Sequence, residues 1–118
     1  MSPHNFTKFN NRITLDLWLG KQKNRTTRKD YENIVLDFII YYLIEKEYPG
    51  ARLNDIDLRI VTVEHIEEYM KKKESLAKST QNKRLRCLKS FLSYACEINY
   101  LTFNAVENYL ELPKFDKL

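Results

Sequence analysis

Apolar positions recur along this chain at helical rather than alternating spacing. Leu15, Trp18 and Leu19 form the first stripe, behind Thr14, a residue type that caps helix N-termini. The pattern predicts a short helix from Thr14 to about Gly20. The preceding stretch is polar and Asn-rich, and residues 1–13 are expected to form a flexible arm. The second stripe is stronger: Tyr31, Ile34, Val35, Phe38 and Tyr42 follow helical spacing. Thr26 or Thr27 is the expected cap. Asp30 and Glu32 near the start and Lys46 near the end carry the signs that the helix dipole favours. The run Ile34 to Ile44 is apolar almost all round and rich in β-branched residues, so locally it also reads as a strand. Its length and end signals favour a buried central helix, closed by Pro49-Gly50.

Residues 51–61 alternate only partly, at Leu53, Ile56, Leu58 and Ile60, and are expected as a loop with a short extended piece. Thr62 then caps a helix whose apolar face is Val63, Ile66, Tyr69 and Met70. Its glutamates lie early and Lys71–Lys73 late. A longer helix follows, with Ser79 as its expected cap. Leu85, Leu88, Phe91, Leu92 and Ala95 share one sector, and Ser79, Asn82, Lys83, Arg86 and Ser90 lie opposite. Lys89 is on the shoulder and Arg84 nearer the apolar side, where a snorkelling head at the core edge is expected. Asn99 ends this helix. Asn104 caps a last short one, stopped by Pro113. The predicted fold is all-α, with four main helices and a short C-terminal helix in one domain over residues 14–112.

Composition narrows the classes. Two glycines and three prolines in 118 residues are too few for a hairpin-rich β fold. The longest apolar-rich run contains Asp37 and is too short to cross a bilayer, and the N-terminus lacks a secretory pattern. Cys87 and Cys96 lie on opposite sides of one predicted helix and cannot bond to each other there. Free thiols in a reducing cytoplasm are expected.

Charge is unevenly placed. Residues 1–29 hold seven bases and one acid, a net of +6. Residues 30–74 hold six bases and eleven acids, −5, and residues 75–118 seven bases and four acids, +3; these sum to the overall +4. Two basic ends on one face would suit a polyanion better than the total suggests.

Enzymatic chemistry finds little support. His4 and His65 have no neighbouring ligand set, so no metal site is expected, and His65 reads as an exposed polar residue. Two isolated glycines make no phosphate loop. Glu64, Glu67 and Glu68 read as a solvated face, and no catalytic residue or cofactor is expected. What remains is the face of the Ser79–Asn99 helix. Its Lys and Arg can neutralise phosphates, and Gln81, Asn82 and Arg86 can reach base edges. The amides near Thr26–Arg28 and Ser79–Gln81 can also hold phosphates. A solvated face that binds nothing explains the same pattern, and charge alone does not separate the two.

The order of motifs does separate them. Thr27 and Tyr31 open the second helix in a T-x-x-x-Y pattern, followed by an apolar run with Phe38. The helix Val61 to Tyr69, the Ser79-Thr80 start of a basic helix, the stretch Leu88 to Ala95 and the ending Ile98 to Lys114 follow in turn. Over residues 14–114 this resembles the N-terminal core-binding domain of tyrosine recombinases, the phage and transposon integrases and Xer-type enzymes. One departure is Ala105 after Asn104, where the family usually has proline. Alanine is compatible with a first helical position, so this reads as a local stability change.

The resemblance implies a SAM-like bundle forming one jaw of a clamp on double-stranded DNA. Carried onto this chain, the DNA-facing candidates are Arg25, Thr26, Thr27 and Arg28, with Ser79, Thr80, Asn82, Lys83, Arg86, Lys89 and Ser90. The helical projection selects much of the second set by itself. The resemblance also implies that strand cleavage and rejoining belong to a separate C-terminal domain, with residues 113–118 starting the linker to it. No tyrosine here is then the nucleophile; Tyr31, Tyr42, Tyr69 and Tyr94 read as packing residues with a polar tip. The domain alone is expected to be a monomeric, non-enzymatic DNA binder, without membrane contact, in the bacterial cytoplasm at the nucleoid. Its other partners would be recombinase protomers in a synaptic assembly. The competing expectation is a helical protein-interaction adaptor, which would show an exposed apolar patch instead.

Overall fold

A computed structural model describes residues 10–112. The elements run in the order α1 (Asn11–Leu19), α2 (Arg25–Leu36), a π-helical stretch Asp37–Ile44, α3 (Glu45–Glu47), two 3₁₀ turns at Leu53–Asp55 and Leu58–Ile60, α4 (Val63–Lys72), α5 (Lys78–Glu97) and α6 (Ala105–Leu110). No strand occurs among the described residues, and the all-α SAM-like bundle is the observed fold.

The long central helix has an irregular middle. Its buried apolar residues fall at 34, 35, 38, 39, 42, 43 and 44, more than one stripe of a regular helix would carry, and among them 34, 39, 44 and 38, 43 are spaced by the five residues of the wider π turn. Widening the turn brings Phe38, Ile39, Tyr42, Leu43 and Ile44 all into the core. Gly50, at φ 91°, then reverses the chain in a conformation that favours glycine.

Helix starts depart from expectation at three places. Asn10, not Thr14, caps α1, with its side chain accepting from the Ile13 amide; Thr14 is buried inside the helix. Residues 10–13 therefore belong to the bundle rather than to an arm, and residues 1–9 lie outside the described residues. Asn24, not Thr26 or Thr27, caps α2 by accepting from the Thr27 amide. Asparagine outranks threonine at this position, and each Asn lies three residues before the amide it binds. Helix α5 begins at Lys78 after Ala77, with no side-chain cap, so Ser79 is already helical. Gln81 instead reaches back to the carbonyls of Leu76 and Glu74. Thr62 and Asn104 cap α4 and α6 as expected. Asn99, at φ 67°, turns the chain after α5.

The segment 51–61 holds two 3₁₀ turns and no extended piece. It is pinned from within. Asn11 Nδ2 donates to the carbonyls of Leu53 (2.8 Å) and Ile56 (2.7 Å). The Tyr100 hydroxyl donates to Asn11 Oδ1 and accepts from the Leu58 amide. These polar groups are buried but satisfied, which is the condition for keeping them in a core.

His65 is also buried, not exposed. Its Nδ1 accepts from the Thr62 amide and its Nε2 lies 2.8 Å from Glu47. Glu68 likewise is no free solvated acid: it accepts from the Tyr42 hydroxyl and pairs with Lys46. Tyr42 and Tyr69 pack in the core with bonded hydroxyls, the packing role read from sequence.

Candidate nucleic-acid interface

Helix α5 packs its apolar side on α1, α2 and α6 and turns its polar side outward. Ser79, Thr80, Asn82, Arg86, Lys89 and Ser90 are exposed, and Lys83 is half-buried. At the start of α2, Arg25 and Thr26 are exposed while Thr27 and Arg28 are half-buried.

The two groups meet at one ion pair. Lys83 Nζ on α5 lies 2.9 Å from Asp30 Oδ2 on α2. Asp30, Ile34, Thr80, Lys83 and Arg84 line an open groove of about 200 Å³ between the helices. A second open groove, of about 690 Å³, lies between α1 and the start of α2 and includes Arg25, Thr26, Arg28 and Lys29. Asp16 and Glu32 on its walls are partly neutralised by Arg12, whose guanidinium bonds both.

Not every candidate is equally free. The Thr27 amide is taken by Asn24, and Arg28 Nη1 donates to the Gln22 carbonyl, closing the α1–α2 connection. Arg25, Arg86 and Lys89 have no ion pair among the described residues and stand exposed. Arg84 lies at the core edge, as its helical angle implied. Its Nη1 donates to Asp37 Oδ2 (3.1 Å) and to the Tyr69 hydroxyl (2.9 Å). Burial works to raise the Asp37 pKa, but the bonds from Tyr69 and Lys73 and the charges of Lys73 and Arg84 outweigh it and hold it below the usual carboxylate value. Burial and the Asp37 bond push the Tyr69 hydroxyl up. This cluster is structural, inward of the basic face.

Trp18 forms the floor under that face. Its ring stacks on Tyr31 at 5.5 Å and meets Phe91 edge-on at 5.3 Å, so α1, α2 and α5 are joined through one side chain. Its Nε1–H donates to Ser90 Oγ at 3.1 Å. Cys87 is buried, its thiol pushed up by burial to about 12, which leaves it protonated and unreactive at neutral pH.

Lys21 was missed in the sequence reading. It is exposed, and its Nζ lies 5.3 Å from the centre of the Tyr94 ring, which extends the row Arg86–Ser90 by one turn. The available signal was the acid-free run from Lys21 to Lys29, which carries five bases: Lys21, Lys23, Arg25, Arg28 and Lys29.

Among the described residues no cluster of three or more His, Cys, Asp or Glu is placed to hold a metal, and no helix is long and apolar enough to cross a membrane. The fold defines a small helical domain of the SAM-like class, with exposed basic residues along α5 and at the start of α2. The family model of the phage integrase SAM-like domain matches residues 5–112, and the chain belongs to that family. No curated protein and no solved structure matches the chain.

Proposed function

We propose that this domain binds double-stranded DNA as one jaw of a tyrosine recombinase clamp, with cleavage and rejoining carried out by a separate catalytic domain. The observation that supports it is the Asp30–Lys83 ion pair, which ties the N-terminal half of α2, with Arg25 exposed at its start, to the polar side of α5. In this reading Arg86 and Lys89 on α5 and Arg25 on α2 contact phosphates, and Asn82 and Arg86 reach base edges; the exposure of all four supports it. Thr80 and Ser79 add short hydroxyls at the uncapped start of α5. The reading is tested by titrating the chain onto a labelled duplex of about 30 base pairs; binding in the micromolar range that weakens steeply with salt is expected for phosphate-dominated contacts.

One observation favours the adaptor reading. Ile13 and Leu17, one turn apart on α1, are each 57% exposed. Two side chains are a small patch, well below the area of a stable protein interface.

A further inference from the structure

Ser90 is exposed on the α5 face and is the residue whose hydroxyl receives the indole N–H of Trp18. An indole nitrogen only donates, so Ser90 Oγ is the acceptor in this bond. The hydroxyl has one hydrogen, and no described residue accepts it. The usual intrahelical alternative, donation back to the carbonyl four residues earlier, is not made to Arg86. Trp18 is itself held on both sides, by Tyr31 and Phe91, so the indole N–H direction is fixed by packing.

We propose that Trp18 is a positioning residue for DNA binding: it orients the Ser90 hydroxyl so that its proton faces outward, as a donor for an acceptor oxygen or nitrogen of the duplex. Arg86 and Lys89 flank Ser90, and a short side chain on a helix can bond only to what approaches that helix closely. This inference rests on the DNA-binding reading above and adds to it a buried residue that touches no DNA. It also supplies an optical signal, because Trp18 is the only tryptophan in the chain.

The experiment is a double-mutant cycle on duplex affinity with Trp18→Phe and Ser90→Ala, run with circular dichroism to confirm helix content. Phenylalanine keeps an aromatic ring between Tyr31 and Phe91 and removes the N–H. Ser90→Ala is expected to weaken binding about five- to tenfold, the usual net worth of a single hydrogen bond. Trp18→Phe is expected to weaken binding two- to fourfold with Ser90 present and not at all in the Ser90→Ala background. Equal losses in both backgrounds would overturn the proposal, since a role in packing alone predicts them. Tryptophan emission gives a second test if Trp18→Phe does not fold. Saturating duplex should shift Trp18 emission in the wild type and much less in Ser90→Ala at equal occupancy; the same shift in both overturns the proposal.

A loss that is uniform over duplex sequences assigns the acceptor to phosphate, and a sequence-dependent loss assigns it to a base edge. A wild-type chain that binds no duplex at low salt removes the DNA-binding reading and this inference with it. Binding by the wild type without coupling between the two positions removes only the inference.

Discussion

Lys83 on α5 and Asp30 on α2 form an ion pair at 2.9 Å, and the pair lies on the basic face rather than behind it. It therefore acts in two ways. It ties the helices together, and it offsets one positive charge at the centre of the surface proposed to meet phosphates. Both side chains are nearly half-exposed, so the pair contributes little to stability, about 0–1 kcal/mol. Asp30→Asn is expected to leave the melting temperature within a few degrees of wild type and to tighten duplex binding about two- to fivefold at low salt. The slope of log affinity against log salt should steepen as Lys83 becomes free to neutralise a phosphate. Weaker binding in this variant would mean that Asp30 holds Lys83 in its working position.

Lys83→Ala combined with Arg86→Ala removes two charges from the same face. The variant is expected to keep the wild-type helix content, because neither side chain enters the core. Duplex affinity should fall at least tenfold and the salt slope should shrink by about one, the share of Arg86, because Asp30 already offsets Lys83. Anisotropy titrations at several salt concentrations check both quantities.

Asp37 sets an acid limit on stability. Its pKa is lowered in the folded state by bonds from Tyr69 and Lys73 and by the charges of Lys73 and Arg84, against the opposing effect of burial. A carboxylate lowered on folding contributes stability that is fully present above its unfolded value, near 3.8, and is lost as pH falls through the folded value. Melting temperature should therefore drop as pH is taken below about 4. Asp37→Asn should lower stability at pH 7 by about 1–3 kcal/mol and flatten that acid limb, because Arg84 and Lys73 then lack their counter-charge. An unchanged acid limb in the variant would assign the effect to other carboxylates.

Asn11→Ala tests the buried junction that holds the 51–61 segment. The change removes the donor to the carbonyls of Leu53 and Ile56 and the acceptor of the Tyr100 hydroxyl proton. A loss of about 2–4 kcal/mol in denaturant unfolding is expected, with DNA affinity of the folded fraction unchanged.

Much of this architecture is legible in the sequence, for reasons that differ by element. The α4 and α6 starts were readable because Thr62 and Asn104 precede a plain apolar stripe, and a local side chain satisfies local amides. At α1 and α2 two candidate cap types stand close together, and the asparagines win by bonding the amide three residues on. Helix α5 has no cap to read. His65 was misread because its partner Glu47 is eighteen positions away, at the end of the central helix, and only tertiary packing brings them together. The π stretch was visible only as an apolar run that fitted no single helical stripe.

The basic face follows the same division. The outward row of α5 is a matter of helical angle and was readable residue by residue. Its junction with α2 at Asp30 and its floor at Trp18 are long-range contacts, fifty-three and seventy-two positions apart, which periodicity does not encode. Arg28 shows the converse: a basic residue in a promising position turns back to the carbonyls of Gln22 and Lys23.

The most direct test is the affinity of the wild-type chain for a duplex of about 30 base pairs at two salt concentrations, 50 and 200 mM being the usual comparison. The account predicts micromolar binding at low salt that weakens tenfold or more at the higher one. Binding that does not change with salt, or none at either concentration, would contradict a phosphate-contacting role for the α2–α5 face.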